Sequence, residues 1–597
     1  MTIKASQFTP QVLLSAPRRS AGVPNANGSH VLFTVNSYSF ESHIKTNELR
    51  VLSTKTNEST LLLEQAVDGL NWLDEDAFVW LRDKEGGETE VCVGSVSEAL
   101  KANARDDSDG KKAWYSIAGC VAAPASNLKV KRLEAGDEYA VVLSAQANAK
   151  GELFNPEKAE KTHSTGRLYT GLYVRHWDAY EEREKNTLWY GKLSKSDDDH
   201  GRFQLSPLTN ALKGTKNLEC PMKPFGGADN FDLSPRGAIA FVSKDPDLNP
   251  ALNTKCNLYL LNVNSWTQGP VAGPKRVNVK GFEGASTAPI FSLDGSQVAF
   301  LSMKRNGYES DQNRIFVVGD LEAHELEASC EHDLVASQAG WDRSPSSIAW
   351  SCNGKAMLVT AEDEGHSKIF EIRSGQQTPQ PLTKKGSVGD VVPLKRPGEI
   401  FYSGSSLIDN STFAIIKHEM TAEESPLSVW TNSNSNHGNK FGLKEQQVTS
   451  IWTPASNPKV NEKVHSWVIK PSSFNSSKKY PVAYLIHGGP QGAWGDSWST
   501  RWNPAVFAEQ GFIVITPNIT GSTGYGQAFT DAINRNWGGD PLVDIENVFG
   551  WVGKNLPEAD NDRAVALGAS YGGYMMNCKY LTCLLDYNTQ PSAKRTN

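Results

Sequence analysis

The chain has 597 residues, of which 39% are hydrophobic and 21% are charged, and its formal net charge is −7. Because one hydrophobic core rarely serves more than about 250–300 residues, this length predicts at least two domains. Acidic and basic residues are interspersed and no apolar stretch reaches bilayer-spanning length. The composition therefore argues against electrostatic binding of nucleic acid and against insertion into a membrane. We expect neither nucleic acid nor membrane as a partner.

Residues 1–24 form an N-terminal segment without the apolar run that a signal peptide requires. We therefore expect a cytoplasmic protein, with secretion as the alternative. The eight cysteines are scattered and include no CxxC pair, a pattern typical of isolated buried thiols, with one or two disulfides if the chain is exported. We expect no metal and no cofactor. Five glycosylation sequons, relevant only in the secretory pathway, start at Asn27, Asn57, Asn410, Asn475 and Asn518.

Residues 25–440 repeat one pattern, in which a polar residue and a glycine precede a short apolar strand. The turn glycines supply the positive φ that tight hairpins need. Two intervals are nearly equal, with 58 residues from Gly237 to Gly295 (295 − 237) and 59 from Gly295 to Gly354 (354 − 295). This spacing predicts a β-propeller of about seven blades, with an array of β-sandwiches as the alternative. The Asn- and Ser-rich stretch 431–440 is typical of a loop or linker.

Residues 441–597 follow a different pattern, in which short apolar strands alternate with helical periodicity. Continuous apolar runs at 481–486 and 511–516 suit strands buried on both faces of a parallel sheet. Asp540-Pro541 predicts a helix with Asp540 as its N-cap, and residues 563–567 predict a further strand. Alternating strands and helices predict an α/β domain, so the chain as a whole is multidomain, β followed by α/β.

The pentapeptide Gly568-Ala569-Ser570-Tyr571-Gly572 fits G-x-S-x-G and follows the predicted strand at 563–567. Small residues flank Ser570 because the chain must turn sharply from strand to helix, and this turn lifts the serine hydroxyl clear of the sheet. The sequence therefore predicts Ser570 as a nucleophile.

A glycine loop, His487-Gly488-Gly489-Pro490, follows the strand at 481–486. Glycines permit a backbone turn that directs N–H groups at a developing oxyanion. We expect the donors to be the N–H groups of Tyr571 and Gly489, with Gly488 beside them, and a structural role for His487.

Motifs along most of the chain resemble the prolyl-oligopeptidase and acylaminoacyl-peptidase group of serine peptidases in order and spacing. These motifs are 487–490, 518–526, 537–540 and 568–574, and the upstream segments 13–19 and 174–178 resemble the fungal dipeptidyl peptidase V branch. The resemblance extends to about Asn577. It implies a β-propeller that caps an α/β-hydrolase domain, peptide substrates and release of N-terminal dipeptides through an acyl-enzyme.

The sequence departs from the family after Ser570. In α/β-hydrolases the catalytic aspartate and histidine follow the nucleophile, but only 27 residues follow Ser570 (597 − 570), and none is a histidine. The only aspartate among them, Asp586, is too close to Ser570 for the family spacing. We therefore expect a hydrolase domain that is incomplete after the nucleophile and has no triad Asp or His. Without a general base, we expect this chain to be catalytically inactive. The sequence would then come from a truncated or misassembled gene model, with a natural non-catalytic form as the alternative.

Three readings of the function remain open from the sequence. The first is a dipeptidyl peptidase, the second is an acylaminoacyl hydrolase or esterase, and the third is a non-catalytic binding protein built on the propeller. Arg175, His176 and Asp178 are either ligands of a substrate terminus or a hydrogen-bonded blade element. The carboxylate that would hold a substrate amine has no signature in the sequence.

Overall fold

The computed structural model describes residues 7–104, 114–134, 137–161, 163–196, 202–330, 341–373, 378–379, 381–417 and 428–578. Sheets that are antiparallel except at two parallel pairs account for the N-terminal part, and a mixed sheet with helices accounts for the C-terminal part. In these ranges no helix is both long and apolar enough to cross a membrane. Cys92 and Cys220 are buried thiols, as the sequence predicts, whereas Cys120 is exposed.

The first half of the β-rich part contains three antiparallel sheets, a small hairpin and two helices. The first sheet contains Arg18–Arg19, Val23–Pro24, His30–Tyr38, Lys45–Ser53 and Glu58–Leu63. The second sheet contains Asp68–Trp72, Ala77–Lys84, Glu88–Ser95 and Tyr115–Val121. The third sheet contains Ala125–Arg132, Glu138–Ala147, Lys185–Lys195, Phe203–Leu205 and Thr209–Asn210. The hairpin pairs Arg175–His176 with Ala179–Tyr180, and the helices are Pro10–Ser15 and Val96–Ala104.

Three further sheets complete the β-rich part. One contains Phe231–Ser234, Ala238–Lys244, Cys256–Asn262, Lys275–Asn278 and Leu326–Glu327, after a 3-10 turn at Ala228–Asn230. The next contains Ser286–Phe291, Val298–Met303 and Asn313–Val318. The last contains Pro345–Trp350, Ala356–Asp363, His366–Arg373, Ser387–Pro393, Glu399–Ser405, Thr412–Lys417 and Ser428–Ser433. A single parallel pair, Ser367 with Ser387, joins its two antiparallel halves.

Hydrophobic clusters join each antiparallel group to the next along the chain. A further cluster packs Val31 and Phe33 of the first group against Phe401 and Phe413 of the last. The first and the last antiparallel groups are therefore in contact. Gly237, Gly295 and Gly354 have the positive φ that the predicted tight turns require, and Gly28, which precedes the strand His30–Tyr38, has it as well.

The predicted linker at 431–440 is partly wrong, because residues 431–433 continue the strand Ser428–Ser433. Pairing with Thr412–Lys417 explains this difference, since backbone ladder bonds outweigh a polar composition. Beyond the strand, Asp409 accepts hydrogen bonds from Thr412 and Ser435 and so fixes the path between the two parts of the chain. The 3-10 turns Asn439–Phe441 and Glu445–Gln447 follow.

The C-terminal part is a five-stranded sheet that contains, in chain order, Val448–Pro454, Lys463–Ile469, Tyr480–Ile486, Ile513–Asn518 and Ala559–Gly568. Across the sheet the third strand lies between the fourth and the fifth and is parallel to both. This central position explains why its sequence is continuously apolar. The helices are Pro504–Ala508, Gln527–Asp531, Asp540–Asn555 and residues 571–578.

Two details of this part bear on the predictions. The helix Asp540–Asn555 has Gly539 rather than Asp540 as its N-cap, so Asp540 is its first helical residue and places a negative charge in the first turn. The strand Ala559–Gly568 pairs with Tyr480–Ile486, and among the described residues its other edge has no partner strand. Val565 and Leu567 are 45% and 40% exposed there.

Candidate active site

Ser570 lies on a tight turn between a strand and a helix, as the sequence predicts. The strand Ala559–Gly568 ends two residues earlier, and the helix over 571–578 begins immediately afterwards. Ser570 has a φ of 56°, a left-handed conformation that is uncommon outside glycine and that the surrounding structure must enforce. Two backbone bonds close the turn, from Gly572 N to the Ala569 oxygen (3.0 Å) and from Tyr574 N to the Ser570 oxygen (3.1 Å).

The glycines on either side of Ser570 are required by close backbone contact. A Cβ at Gly568 would lie 2.5 Å from the Gly572 carbonyl carbon. A Cβ at Gly572 would lie 2.2 Å from the carbonyl oxygen of Ile486. Since Ile486 ends the central strand, the G-x-S-x-G turn rests directly on that strand, and no side chain larger than hydrogen fits between them.

The glycine loop 487–490 lies beside the serine. Ile486 pairs with Gly568 in parallel register, so the residues that follow each strand emerge at the same edge of the sheet. A Cβ at Gly488 would lie 3.3 Å from the Ser570 Cβ and 3.8 Å from its Oγ. Gly489 has a φ of 122°, which a side chain would disfavour. Gly488 thus places its backbone next to the Ser570 side chain, and the role of Gly489 as an oxyanion donor stays a prediction.

His487 is enclosed beneath this loop. Its Nδ1 lies 2.8 Å from the Gly488 oxygen and its Nε2 lies 2.9 Å from Ser522 Oγ. Burial lowers the pKa of His487 below its usual value. Both ring nitrogens therefore have partners other than Ser570, and the imidazole ties the glycine loop to the motif at 518–526.

Tyr571, the residue after the serine, anchors the turn from the other side. Its ring is buried and its hydroxyl donates a hydrogen bond of 2.6 Å to the Trp537 carbonyl oxygen. Burial raises the pKa of Tyr571. Trp537 packs edge-on against the Tyr571 ring, with centroids 5.4 Å apart. The motif at 537–540 therefore supports the turn that carries Ser570.

A buried aspartate organises the segment next to the glycine loop. Asp544 is fully buried and accepts hydrogen bonds from the backbone N–H and the hydroxyl of Thr520, at 2.8 and 2.6 Å. It also accepts one of 2.7 Å from the N–H of Ser456. Sequence reasoning missed this residue, although one signal was available: Asp544 lies four positions before Val548, on the apolar face of its helix.

A cavity of about 670 Å³ lies where the last antiparallel sheet meets the mixed sheet. His366, His465, Trp467 and Asp496 line it, whereas Ser570, Tyr571, Gly488 and Gly489 do not. It is therefore distinct from the serine turn. Within the described ranges no group of three or more His, Cys, Asp or Glu side chains is arranged to hold a metal ion.

Arg175, His176 and Asp178 lie on the small hairpin of the β-rich part. The His176 ring packs against Phe225 with centroids 5.6 Å apart, and Arg175 and Asp178 are exposed. The hairpin also exposes Trp177. Whether these side chains hold a substrate terminus stays a prediction. Asp586 lies outside the described residues.

Comparisons with known proteins agree with the motifs. Residues 498–581 match the prolyl oligopeptidase family. The dipeptidyl-peptidase 5 of Aspergillus fumigatus is 35% identical over 584 residues, which are 96% of this chain and 77% of that protein. The dipeptidyl-peptidase 5 of Trichophyton schoenleinii is 34% identical over 580 residues, 96% of this chain and 75% of that protein.

The fold is also found among solved structures. An acylaminoacyl peptidase of Pyrococcus horikoshii aligns with a TM-score of 0.65 at 14% identity, covering 96% of this chain and 76% of that one. At this identity the match shows the fold alone. The fungal relatives confirm the predicted resemblance at a level and coverage that establish common descent. The chain is a member of the prolyl oligopeptidase family of serine peptidases.

Proposed function

We propose that Ser570 is the nucleophile of a dipeptidyl peptidase that removes N-terminal dipeptides from peptides. The observation that carries this proposal is the left-handed Ser570, followed by the buried Tyr571 and lying beside Gly488 of the glycine loop. An exposed hydroxyl on such a turn, beside backbone N–H groups, is the arrangement that acyl transfer requires. The fungal relatives that carry the name dipeptidyl-peptidase 5 support the choice of substrate.

In the proposed reaction Ser570 Oγ attacks the carbonyl carbon of the second residue. The new C–O bond forms while negative charge develops on the carbonyl oxygen, and the N–H groups of Tyr571 and Gly489 receive that charge, with Gly488 leaving space for it. The C–N bond then breaks, and the amine leaves with the proton that the Ser570 hydroxyl gave up. Water hydrolyses the dipeptidyl ester, which restores the serine and releases the dipeptide.

Proton transfer in this scheme requires a general base. Residues 571–597 contain no histidine, and His487 is engaged by Gly488 and Ser522. We therefore propose that a polypeptide of residues 1–597, assayed by itself, turns over peptides only at a residual rate. Loss of triad members leaves some catalysis from the oxyanion site and binding.

We further propose that the antiparallel groups form a β-propeller of seven blades. The successive clusters, and the one that joins the last group to the first, support this count.

The alternative activity is that of an acylaminoacyl hydrolase or esterase, because a serine turn beside a glycine loop serves any acyl transfer. The Pyrococcus horikoshii structure with the same fold is named an acylaminoacyl peptidase. A substrate panel separates the two activities. We would join residues 1–577 to the C-terminal peptidase segment of the Aspergillus fumigatus relative. This chimera would supply the catalytic aspartate and histidine that follow the nucleophile in α/β-hydrolases. We expect it to cleave a dipeptide amide faster than an N-acetylated amino-acid amide or a simple ester. Preference for the acetylated substrate would overturn the dipeptidyl assignment.

A further inference from the structure

One loop of the β-rich part reaches the glycine loop beside Ser570. Residues 304–312 connect the strands Val298–Met303 and Asn313–Val318, and Tyr308 in this loop is partly buried. Its hydroxyl accepts a hydrogen bond of 2.5 Å from Gln491 Nε2, and Gln491 directly follows the glycine loop 487–490. This bond links two residues 183 positions apart and crosses from the β-rich part to the mixed sheet.

The Tyr308 hydroxyl is fully used by its neighbours. It donates a hydrogen bond of 2.6 Å to Asp531 Oδ1 and accepts a second one, of 3.3 Å, from Asn534 Nδ2. A tyrosine hydroxyl has one proton to donate and limited capacity to accept. Because the Tyr308 hydroxyl donates its one hydrogen to the carboxylate of Asp531, its oxygen lone pairs remain to accept hydrogen bonds from the amide groups of Gln491 and Asn534. The direction of the Gln491 bond is thereby fixed.

The loop that presents Tyr308 is held rigidly. Arg305 lies over the Tyr308 ring, 4.2 Å from its centroid, and bonds Asp311 through Nε (3.0 Å) and Nη2 (2.8 Å). Arg305 Nη2 also lies 3.1 Å from Asp531 Oδ2. The buried Asp311 carboxylate raises the pKa of Arg305. A charged, two-point contact of this kind restricts the side chain more than a neutral bond does.

Gln491 in turn has a second anchor on the mixed-sheet side. Its Nε2 also donates to the Thr530 carbonyl oxygen at 3.2 Å, so both amide hydrogens are directed by neighbours. The next residues are bonded as well, with Gly492 N 3.1 Å from the Pro490 oxygen and Trp494 N 2.7 Å from Asn518 Oδ1. Hydrogen bonds thus fix the loop over 488–494, and Tyr308 contributes the one that comes from the β-rich part.

We propose that Tyr308 is a positioning residue for the oxyanion loop, so that the β-rich part must be docked on the mixed sheet for Gly488 and Gly489 to face Ser570. The inference rests on the proposed function, because it assigns Gly488 and Gly489 to the oxyanion site. It goes beyond that function by making the β-rich part a component of the reaction geometry. A displacement of about 1 Å in such a site lowers rates by large factors.

The test is hydrogen exchange of the full chain and its Tyr308→Phe variant. The substitution removes the hydroxyl and keeps the ring that Arg305 covers. We expect the Gly492 and Trp494 amides to exchange about three- to tenfold faster, the size of effect that one hydrogen bond gives. Gln491→Met should give a similar change, and the double variant should exchange no faster than Tyr308→Phe. Tyr38→Phe is the matched control, since the Tyr38 hydroxyl bonds His43 at 3.0 Å in the first sheet.

A second readout uses the chimera described above. Tyr308→Phe should lower kcat by about tenfold and leave KM within about twofold, because the oxyanion site acts on the transition state more than on bound substrate. Unchanged exchange at Gly492 and Trp494, an equal rise over the whole chain, or an unchanged kcat would overturn the positioning role. A chimera without any turnover would refute the proposed function, and the exchange result would still decide whether Tyr308 holds the loop.

Discussion

Replacing Gly572 by alanine perturbs the contact that brings the serine turn onto the central strand. The added Cβ would lie 2.2 Å from the Ile486 oxygen and 3.1 Å from the His487 oxygen. Ordinary contact begins at 3.4 Å, so the turn or the strand must move by about 1.2 Å (3.4 − 2.2). Both obstacles are backbone atoms, which have no rotamer to change. We expect a loss of about 3 kcal/mol or more in the free energy of unfolding.

The neighbouring glycine provides a matched control. A Cβ at Gly573 would meet only the Gly568 oxygen, at 3.5 Å, an ordinary contact distance. Gly573 lies in the helix over 571–578, where alanine gains up to about 1 kcal/mol over glycine. Urea unfolding of the two variants, followed by tryptophan fluorescence, should therefore separate them by about 3–4 kcal/mol. A difference below about 1 kcal/mol would show that the turn does not rest on Ile486 as described.

Two further predictions concern buried polar groups. Burial lowers the pKa of His465 from 6.5 to about 4. Below pH 6.5 the unfolded chain therefore binds a proton that the folded state does not bind. The free energy of unfolding should fall as the pH drops from 6.5 to 4. His465→Asn keeps an acceptor for Tyr525 and should reduce this loss by about 2 kcal/mol between pH 7 and pH 4.5, measured by urea unfolding. An equal pH dependence in both proteins would contradict the assignment. Asp544→Ala leaves the N–H groups of Thr520 and Ser456 without their acceptor and should lower the free energy of unfolding by about 3 kcal/mol. Replacing the exposed Asp562 by alanine should change it by no more than about 0.5 kcal/mol. Equal effects of the two substitutions would refute the role of Asp544.

Local features of the fold follow from the sequence because their causes are local. Gly28, Gly237 and Gly295 adopt the positive φ that their turns require. The turn at Ser570 forms because Gly568 and Gly572 allow close backbone contact between a strand and a helix. The N-cap of the helix Asp540–Asn555 was misplaced by one residue, since Gly539 and Asp540 both suit a helix start and the chain path decides between them.

The contacts between the two parts of the chain were beyond prediction. Tyr308 and Gln491 have no shared motif, and their hydrogen bond exists only because two sheets dock. Asp496 is a similar case: its carboxylate accepts hydrogen bonds from the N–H groups of Gly386 and Leu407, at 2.8 and 2.9 Å. Such pairs depend on the relative placement of whole domains, which hydrophobic periodicity does not encode.

The most direct test of Ser570 as the nucleophile is turnover of a dipeptide amide by the chimera and by its Ser570→Ala variant, beside a polypeptide of residues 1–597. We expect turnover by the chimera, a loss of about 10⁴- to 10⁶-fold in kcat on Ser570→Ala, and residual turnover by residues 1–597. Turnover that survives Ser570→Ala would contradict the assignment of the nucleophile. Robust turnover by residues 1–597 that Ser570→Ala abolishes would show instead that a residue before Ser570, or a second subunit, supplies the base.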